Sequence, residues 1–339
     1  MKKKHIYLVT GCAGFIGYFL SMKLLNQNEK VIGIDSLNDY YDVDYKKKRI
    51  QILKKKNLVF YKNNLLNIKS IKKILKKYKV DVIIHLAAQA GVRHSLTNPL
   101  DYVKNNIEAT TCLLEACKNS KIKHFLFSSS SSVYGSSEKK KSKENNNTDF
   151  PIQFYAATKK ANELMLHSYS HQLKLPVTVM RFFTVYGPFG RPDMALFKFT
   201  KNIYAKKRID VFNSGKHSRD FTYIDDNVNS IVKLISKPPK KIEIPGTKKI
   251  DFKYSNAKFR IVNVACGKQI KLNSYISLIE KYTNRKSKKN LLDLQVGDVR
   301  EISANINYLN KLTGNIPKIN VETGVMRFIN WYKNYYKVE

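Results

Sequence analysis

Tyr155 and Lys159 are the two residues whose types and spacing best suit acid–base chemistry. They lie four positions apart, so a helix would place the phenol and the ammonium on one face. An ammonium beside a phenol favours the phenolate, so the spacing predicts a lowered pKa of Tyr155. Such a base could take a hydroxyl proton near neutral pH. The pair is common by chance, and its meaning depends on the motifs that precede it.

Five consecutive serines, residues 128–132, close a predicted strand ahead of this helix. Hydroxyl groups at the carboxyl end of a parallel strand face the crevice in which ligands bind. One of these hydroxyls could share a hydrogen bond with Tyr155 and a substrate hydroxyl. The alternative interpretation is a serine-rich turn that caps the next segment.

A glycine-rich loop follows the first predicted strand and opens the first predicted helix. Gly11, Gly14 and Gly17 permit a tight turn, close approach of the backbone to a pyrophosphate, and close packing of helix on strand. Asp35 ends the next strand, where a carboxylate binds both ribose hydroxyls and disfavours a 2′-phosphate. The sequence therefore predicts NAD as the cofactor, and the alternative is a glycine turn that binds nothing.

Short apolar runs alternate with segments of helical period, which predicts an α/β fold with a doubly wound parallel sheet of Rossmann type. We expect an NAD-binding domain over 1–182, with returning segments near 220–236 and 260–266, and a smaller C-terminal substrate-binding domain over most of 183–339. The predicted strands are Ile6–Thr10, Val31–Asp35, Leu58–Tyr61, Val82–His85, Phe125–Ser128 and Val177–Arg181, and the predicted helices lie near 14–28, 44–56, 68–78, 99–118 and 154–174.

Two polar segments are predicted to be loops. The stretch from Glu138 to Asp149 is polar and low in complexity, which indicates a mobile surface loop. The proline-containing segment from Lys237 to Lys258 is predicted to be a second loop region.

The formal net charge of +36 is the unusual bulk property of the chain. Basic proteins bind phosphate backbones, but these lysines are spread along the whole chain and no nucleic-acid-binding motif accompanies them. We expect weak non-specific adhesion and no specific nucleic-acid partner.

Cysteine usage and hydropathy indicate the cytoplasm. The four cysteines lack metal-ligand or CxxC spacing, and nothing indicates a disulfide framework, so a reducing compartment is expected. No run approaches the roughly 18 apolar residues of a membrane helix, so membrane insertion is not expected. His85 and His94 have no partners at ligand spacing, and no metal is predicted. The cysteines are Cys12, Cys112, Cys117 and Cys266.

Together these motifs resemble the nucleotide-sugar epimerases of the extended short-chain dehydrogenase/reductase superfamily, over nearly the full length of the chain. Within them the chain is most similar to the 4-epimerases of UDP-glucuronate, and the run from Arg181 to Ala195 discriminates best. The matching segments are Thr10–Gly17, Gly33–Asp42, His85–Arg93, Ser129–Gly135, Tyr155–Glu163, Arg181–Pro188, Gly190–Ala195, Arg219–Asp226 and Gln295–Val299.

The resemblance implies inversion at C4 of a UDP-sugar. Tyr155 would take the 4-hydroxyl proton while the C4 hydride moves to NAD⁺, and the hydride would return to the opposite face after the 4-keto sugar turns over. A 4-keto uronate is a β-keto acid that loses CO₂, so its carboxylate must be held out of alignment with the carbonyl π system. Thr184, Arg191 and the serines 130–132 match carboxylate-holding positions, and a planar guanidinium suits a carboxylate.

The site residues implied by the motifs and the resemblance fall into three groups. The catalytic group is Tyr155, Lys159 and Ser130. The cofactor-binding group adds Gly11, Gly14, Phe15, Ile16, Gly17, Asp35, Asn38, Asn64, Leu65, Leu86, Ala87, Ala88 and Asn106. The substrate-binding group is Gln89, Arg93, Ser130, Ser131, Ser132, Thr184, Arg191, Arg219 and Asp298.

Several alternatives remain open. Neutral-sugar epimerases usually carry Asn at the position of Thr184, and the serine run lacks the acidic residue of related dehydratases and decarboxylases. A UDP-glucose or UDP-N-acetylglucosamine 4-epimerase is the nearest alternative, and a non-catalytic NAD-binding sensor or scaffold is more distant. The chain departs from the family at Asn63 and Asn64, where an Asp usually reads the adenine amino group. A homodimer through the helices near 99–118 and 154–174 is implied by the resemblance.

Overall fold

A computed structural model describes residues 5–135, 141–240, 255–295, 297–314 and 316–339. Its strands are β1 Ile6–Thr10, β2 Lys30–Asp35, β3 Val59–Lys62, β4 Val82–His85, β5 His124–Ser130, β6 Val177–Phe182, β7 Thr184–Tyr186, β8 Arg208–Phe212, β9 Ser218–Tyr223, β10 Phe259–Val264, β11 Gln269–Lys271, β12 Lys288–Leu292 and β13 Glu301–Ile302. Its α-helices are α1 Phe15–Asn26, α2 Val43–Lys54, α3 Ile68–Tyr78, α4 His94–Thr97, α5 Pro99–Tyr102, α6 Ala109–Cys117, α7 Phe154–Leu173, α8 Ala195–Tyr204, α9 Ile224–Ile235, α10 Leu272–Thr283, α11 Asn307–Thr313 and α12 Val321–Tyr336.

Seven parallel strands form the main sheet, in the order β10-β6-β5-β4-β1-β2-β3. The chain first builds outward from β1 through β2 to β3 and then returns to β4 on the other side of β1. Ligands of doubly wound sheets bind at such a reversal, outside the carboxyl ends of the strands. The predicted α/β fold with a parallel Rossmann-type sheet is confirmed.

The predicted elements are present, with ends that differ by a few residues. The predicted helix near 99–118 is interrupted: a π-helical segment, Val103–Glu108, separates α5 from α6. Such segments are uncommon and often occur at functional sites. Strand pairing explains the apolar runs, because strands covered on both faces by helices are buried along most of their length.

The later part of the chain adds a smaller set of strands. β7, β9, β11 and β13 form one small sheet, and β8 pairs with β12. The segment expected to return near 260–266 contains β10, which pairs with β6 in the main sheet. Helix α9, in the segment near 220–236, packs against α1. The division into two domains stays a prediction.

The described residues 141–149 form a loop as predicted, but they do not lie wholly on the surface, because Ser142, Glu144 and Thr148 are buried. Ser142 pairs with Ala304 in an isolated parallel β-bridge. Glu144 is buried, and its carboxylate accepts a hydrogen bond from the backbone N–H of Asn263 at 3.0 Å. Polar side chains satisfied in this way can be buried without penalty. Residues 138–140, and 241–254 of the second predicted loop, lie outside the described residues.

The described helices are too short or too polar to cross a membrane. Within the described ranges, none of them combines the length and the apolar character that a bilayer crossing requires.

Candidate active site

A cavity of about 710 Å³ opens along the carboxyl ends of the main-sheet strands. Every residue that the sequence placed at the site lines this cavity, except Asn106. The glycine loop and Asp35 line it from the main sheet, together with Tyr155 and Arg191, whereas Arg219 of β9 and its partner Asp298 line it from the later strands, which form its far end. The order of these groups fits a dinucleotide at one end and a nucleotide-sugar at the other.

The glycine loop has the shape that a bound pyrophosphate requires. Gly11 has a φ of +71°, and a Cβ there would lie 2.8 Å from the backbone nitrogen of Ala87. A Cβ on Gly17 would lie 2.1 Å from the carbonyl oxygen of Gly11. Gly14 provides the N-cap of α1 and has no side chain to cover the free N–H groups of the first turn. Those N–H groups and the helix dipole favour an anion.

Asp35 is half-buried and oriented by the backbone. Its two carboxylate oxygens accept hydrogen bonds from the N–H groups of Ala13 at 3.0 Å and Leu37 at 2.9 Å. Burial raises the pKa of Asp35, while these two hydrogen bonds and the charge of Lys46 oppose the rise. Each oxygen keeps a lone pair for a ribose hydroxyl. Asp35 therefore fits the ribose of NAD.

Lys46 is a site residue that the sequence reasoning missed. It is buried at the cavity wall, and its ammonium donates to the backbone oxygen of Asn38 at 2.6 Å and to the Asn38 side chain. Lys46 thus holds Asn38 beside Asp35. The sequence does not distinguish Lys46 from the two lysines that follow it. The structure does, because Lys46 lies on the buried face of α2.

Two predicted cofactor ligands have other partners. Asn106 is buried away from the cavity: its Oδ1 accepts from Gln89 N–H at 2.8 Å, and its Nδ2 donates to Gln89 O and to Thr158 Oγ1. The π-helical segment places this side chain inside, where it ties the loop after β4 to α7. Asn64 lines the cavity, but its Oδ1 accepts from the N–H of Leu66 at 3.0 Å.

Tyr155 and Lys159 lie on the buried face of α7, but they are not in direct ionic contact. The Lys159 ammonium donates to the backbone oxygen of Ser128 at 2.8 Å and lies 5.9 Å from the centroid of the Tyr155 ring. Burial lowers the pKa of Lys159 to about 7, an effect that the charge of Glu163 opposes. Burial raises the pKa of Tyr155, while a hydrogen bond with Ser130 and the charge of Arg191 oppose it. The expected lowering of the Tyr155 pKa is not found in the protein residues alone.

The serine run alternates between two environments. The Ser129 hydroxyl is buried and donates to Glu163 Oε1 at 2.5 Å. Ser130 faces the cavity, where its Oγ accepts from the N–H of Ser132 at 3.2 Å and donates to Ser132 Oγ at 3.1 Å, and it lies close enough to Tyr155 to lower the pKa of the phenol. The hydroxyl predicted to be catalytic therefore also caps the next segment, and its catalytic role stays a prediction.

A buried ion pair lies beneath this cluster and was not predicted. Arg181 donates to Glu163 at two points, Nε to Oε1 at 2.9 Å and Nη2 to Oε2 at 2.7 Å, and both side chains are 2% exposed. Glu163 lies four residues after Lys159 on α7, so the sequence spacing could have shown it. It carries the negative charge nearest to Lys159 along the helix.

Arg191 lies in the cavity wall close to Tyr155, and its guanidinium is paired. Nε donates to Asp193 Oδ1 at 2.9 Å and Nη2 to Oδ2 at 2.5 Å. Thr184, at the start of β7, lines the same part of the cavity. Asp193 was not predicted as a site residue, although it lies two positions from Arg191 in the most discriminating run.

Arg49 connects the glycine loop with the loop that precedes Arg191. Its guanidinium is buried; Nη1 donates to the carbonyl oxygen of Ala13 at 2.8 Å, and Nη2 to that of Phe189 at 2.5 Å. Ala13 belongs to the glycine loop, and Phe189 is two residues before Arg191. One side chain thus sets the distance between the cofactor end and the middle of the cavity.

The far end of the cavity is basic and aromatic. Arg219 Nη2 and Asp298 Oδ1 form an ion pair at 3.1 Å, so two predicted substrate ligands contact each other. The Arg93 guanidinium lies 4.6 Å from the centroid of the Phe212 ring. His217, which the sequence did not single out, lines this end with its Nδ1 buried and without a hydrogen-bond partner among the described residues. These groups suit a base and a diphosphate.

The histidines considered for metal binding have other roles. Both ring nitrogens of His85 are hydrogen-bonded, to Thr10 Oγ1 at 2.7 Å and to Thr110 Oγ1 at 3.0 Å. His94 packs against the rings of Tyr40 and Tyr102. In the described ranges no three His, Cys, Asp or Glu side chains are grouped as metal ligands.

Known proteins are similar to this chain in sequence and in fold. Residues 7–244 match the model of the NAD dependent epimerase/dehydratase family. The chain belongs to the NAD-dependent epimerase/dehydratase family. Its residues at the glycine loop and Asp35 fit the cofactor of that family, and the structure places them together at one end of the cavity.

Individual members of the family extend the similarity over the whole chain. The UDP-glucuronate 4-epimerase of Thermodesulfobacterium geofontis is 40% identical over 329 residues, covering 96% of each chain. The crystal structure of UDP-glucuronic acid 4-epimerase from Bacillus cereus with UDP-glucuronic acid and NAD has a TM-score of 0.87 and 33% identity, covering 98% of this chain and 100% of that one. A UDP-glucose 4-epimerase from Thermotoga maritima gives a TM-score of 0.84 at 25% identity, covering 98% and 99%.

Proposed function

We propose that this enzyme interconverts UDP-glucuronate and UDP-galacturonate by inversion at C4. The observation that carries the proposal is the placement of Arg191 in the same cavity wall as Tyr155, near enough for its charge to lower the pKa of the phenol. A hexuronate attaches its carboxylate to C5, next to the reacting C4. A cation beside the base therefore suits a uronate better than a neutral hexose.

Three side chains perform the proton chemistry at C4. Tyr155 accepts the proton of the 4-hydroxyl and later returns it, while Ser130 holds the phenol by a hydrogen bond. Lys159 is fixed on Ser128 O, where its ammonium stabilises negative charge that develops nearby. When bound, NAD supplies the oxidation at C4 and its reversal. The positive nicotinamide would also favour the phenolate, which the protein residues do not achieve alone.

The carboxylate is assigned to Arg191 and Thr184, with the serine hydroxyls of residues 130–132 opposite them. Holding the C5–carboxylate bond near the plane of the C4 carbonyl keeps that bond out of alignment with the π system. Loss of CO₂ is then slower than return of the hydride. The UDP group is assigned to the far end, where Arg219 and Asp298 meet the charge and the ribose hydroxyls of the nucleotide.

A substrate panel tests the proposal. Purified protein is incubated with UDP-glucuronate, UDP-glucose and UDP-N-acetylglucosamine, and the products are identified by NMR. We expect UDP-galacturonate from the uronate and little turnover of the neutral sugars. Arg191→Ala should abolish the preference for the uronate, whereas a neutral-sugar epimerase would be little affected by it. Binding of NAD without turnover of any substrate would favour a sensor or scaffold.

We also propose a homodimer through the helices of residues 99–117 and α7. Large apolar side chains are exposed on these neighbouring elements, with Leu100 79% and Leu164 61% exposed. Exposed apolar clusters of this kind mark protein interfaces. Light scattering on the Leu100→Lys, Leu164→Lys double variant should give half the wild-type mass. A monomeric wild-type protein would contradict the proposal.

The reducing cytoplasm is the compartment we propose for this activity. None of the four cysteines forms a disulfide, and Cys12 and Cys117 are buried. Fluorescence microscopy of a tagged chain in its native cell would test the assignment.

A further inference from the structure

The side edge of the Arg191 guanidinium is occupied by Asp193, and its end edge is open. A guanidinium presents five N–H groups, and Asp193 accepts from Nε and from one N–H of Nη2. For Nη1 the described part of the chain provides no acceptor. The end edge, formed by Nη1 and the second N–H of Nη2, is therefore free to meet a carboxylate at two points.

Asp193 is itself held in place from the cofactor side of the cavity. The Tyr40 hydroxyl donates to Asp193 Oδ2 at 3.3 Å. Gly91 makes room for this hydroxyl, because a Cβ at that position would lie 2.2 Å from Tyr40 Oη. The guanidinium is thus fixed by a chain of contacts that runs from Gly91 through Tyr40 and Asp193.

The pair also changes the charge that a substrate meets. Arg191 lowers the pKa of Asp193 against the effect of burial, so the pair is ionised near neutral pH and has no net charge. A second carboxylate at the end edge is attracted by directed N–H groups, and the nearby Asp193 charge reduces the net attraction. The contact between the substrate carboxylate and Arg191 is therefore directional, but the carboxylate dissociates from it easily.

Release matters because the proposed reaction requires the 4-keto sugar to turn over within the cavity. The carboxylate on C5 moves with the ring and must leave its first partner and form a new contact. A lone buried arginine would bind the carboxylate too firmly for this exchange, while a disordered one would leave the C5–carboxylate bond free to align with the C4 carbonyl.

Building on the function proposed above, we propose that Asp193 is a positioning residue that reserves the side edge of Arg191. It directs the end edge to the sugar and keeps the uronate carboxylate bound loosely enough to exchange during turnover. In the proposed reaction, the contacts of Tyr40 with Asp193 and of Asp193 with Arg191 would thus help to determine the preference for a uronate.

Asp193→Asn tests this role, because asparagine removes the charge and places an N–H₂ group against the guanidinium. The substrate carboxylate should then occupy the vacated side edge. We expect kcat to fall about tenfold or more, as for a lost charge-assisted hydrogen bond, while KM for UDP-glucuronate stays equal or falls. A raised KM with a lowered kcat would indicate plain structural damage and overturn the proposal, as would wild-type kinetics.

A second readout follows the fate of the keto sugar. With the carboxylate misplaced, the C5–carboxylate bond breaks, its electron pair passes through the enolate, CO₂ leaves and water protonates C5. The product is a UDP-4-keto-pentose, and the oxidation at C4 is balanced by NAD left in its reduced form. We expect this product to form more often per turnover in Asp193→Asn than in wild type; an unchanged ratio would contradict the proposal.

Binding measurements separate this proposal from the proposed function. By calorimetry on the NAD-loaded protein, Asp193→Asn should tighten UDP-glucuronate relative to UDP-glucose, whether or not the wild type turns the uronate over. An unchanged ratio of the two affinities would overturn the role of Asp193 alone. Failure of the wild type to epimerise the uronate would overturn the proposed function alone.

Two further variants guard against a folding defect. Tyr40→Phe removes only the hydroxyl that holds Asp193 and should shift the kinetics in the same direction by a smaller factor. Asp44→Asn breaks an exposed pair with Lys47 on α2 and should leave both kinetics and binding unchanged. A Tyr40→Phe enzyme with a raised KM would contradict the proposed chain of contacts.

Discussion

The ammonium of Lys159 is hydrogen-bonded to the carbonyl oxygen of Ser128 at 2.8 Å. This contact fixes the end of β5 to the buried face of α7, and it places a positive charge near the base without joining the two directly. The protein therefore holds a costly buried charge at the centre of its site. Residues that perform such a function commonly reduce stability.

Lys159→Met should increase stability while removing activity. The folded-state pKa of about 7 lies below the usual lysine value of 10.5, so between these values the unfolded chain binds one proton more than the folded one. Wild-type stability then rises with pH through this window. We expect the advantage of Lys159→Met to be largest at and below about pH 7 and to shrink toward pH 10.5. Urea denaturation across this range measures it; a constant difference would contradict the linkage.

Glu163→Gln should strongly destabilise the fold. Removing one partner of a buried ion pair leaves Arg181 uncompensated, which typically costs about 3–5 kcal/mol. The midpoint of urea denaturation should fall accordingly. As a matched control, Glu322→Gln breaks an exposed pair with Lys281 and should leave the midpoint of urea denaturation close to that of the wild type. Equal effects of the two variants would contradict the assigned burial.

Acid should destabilise the protein through two buried histidines. Burial lowers the pKa values of His85 and His124 to about 3, from 6.5, so unfolding takes up two protons between these values and stability falls as pH falls. Asp220 opposes this, because its folded pKa of about 6 exceeds 3.8. For these three groups together, unfolding between about pH 3.8 and 6 takes up one proton, which contributes about 1.4 kcal/mol per pH unit to the pH dependence of stability.

Replacement of one histidine isolates this contribution. His124→Gln should reduce the acid slope by about one proton, since it removes one of the two groups. Exposed His171→Gln is the control and should leave the slope unchanged. The slope is read from urea denaturation at several pH values, and an unchanged slope in His124→Gln would contradict its buried neutral state.

Arg49→Lys should weaken both ends of the site together. Lysine keeps the charge but cannot span the carbonyl oxygens of Ala13 and Phe189. We expect faster loss of NAD during gel filtration and a several-fold higher KM for UDP-glucuronate. Lys48→Arg is the control, because Lys48 neighbours Arg49 on α2 but packs over the Tyr335 ring. It should leave NAD retention and KM unchanged. A change in KM with unaltered NAD retention would show that the two loops are not linked through Arg49.

Much of the architecture follows from local patterns. Alternating apolar runs and helical segments located β1 through β6 because parallel strands buried on both faces need continuous apolar sequence. Glycine spacing located the cofactor end, since only glycine fits where a Cβ would meet Ala87. The motif residues then line a single cavity because strand ends of one parallel sheet lie along one edge.

The remaining features depend on contacts between distant segments, which spacing does not encode. Asn106 turned inward because the π-helical segment changes the face it occupies. Arg49 functions through burial against the loops of Ala13 and Phe189, which lie far from it in the chain. Lys46 bonds to the nearby Asn38, and only its burial on the inward face of α2 distinguishes it from the lysines that follow. The pKa of Tyr155 could not be inferred from its helical spacing to Lys159, because burial raises that pKa and the opposing effects come from Ser130 and Arg191.

The most direct test of the central claim follows the hydrogen at C4. UDP-glucuronate carrying deuterium at C4 is converted by the wild type in ordinary water, with Tyr155→Phe as the inactive control, and the product is analysed by NMR. We expect UDP-galacturonate that retains the deuterium at C4, because the same hydride leaves and returns. UDP-galacturonate with protium at C4, or no epimer at all, would contradict it.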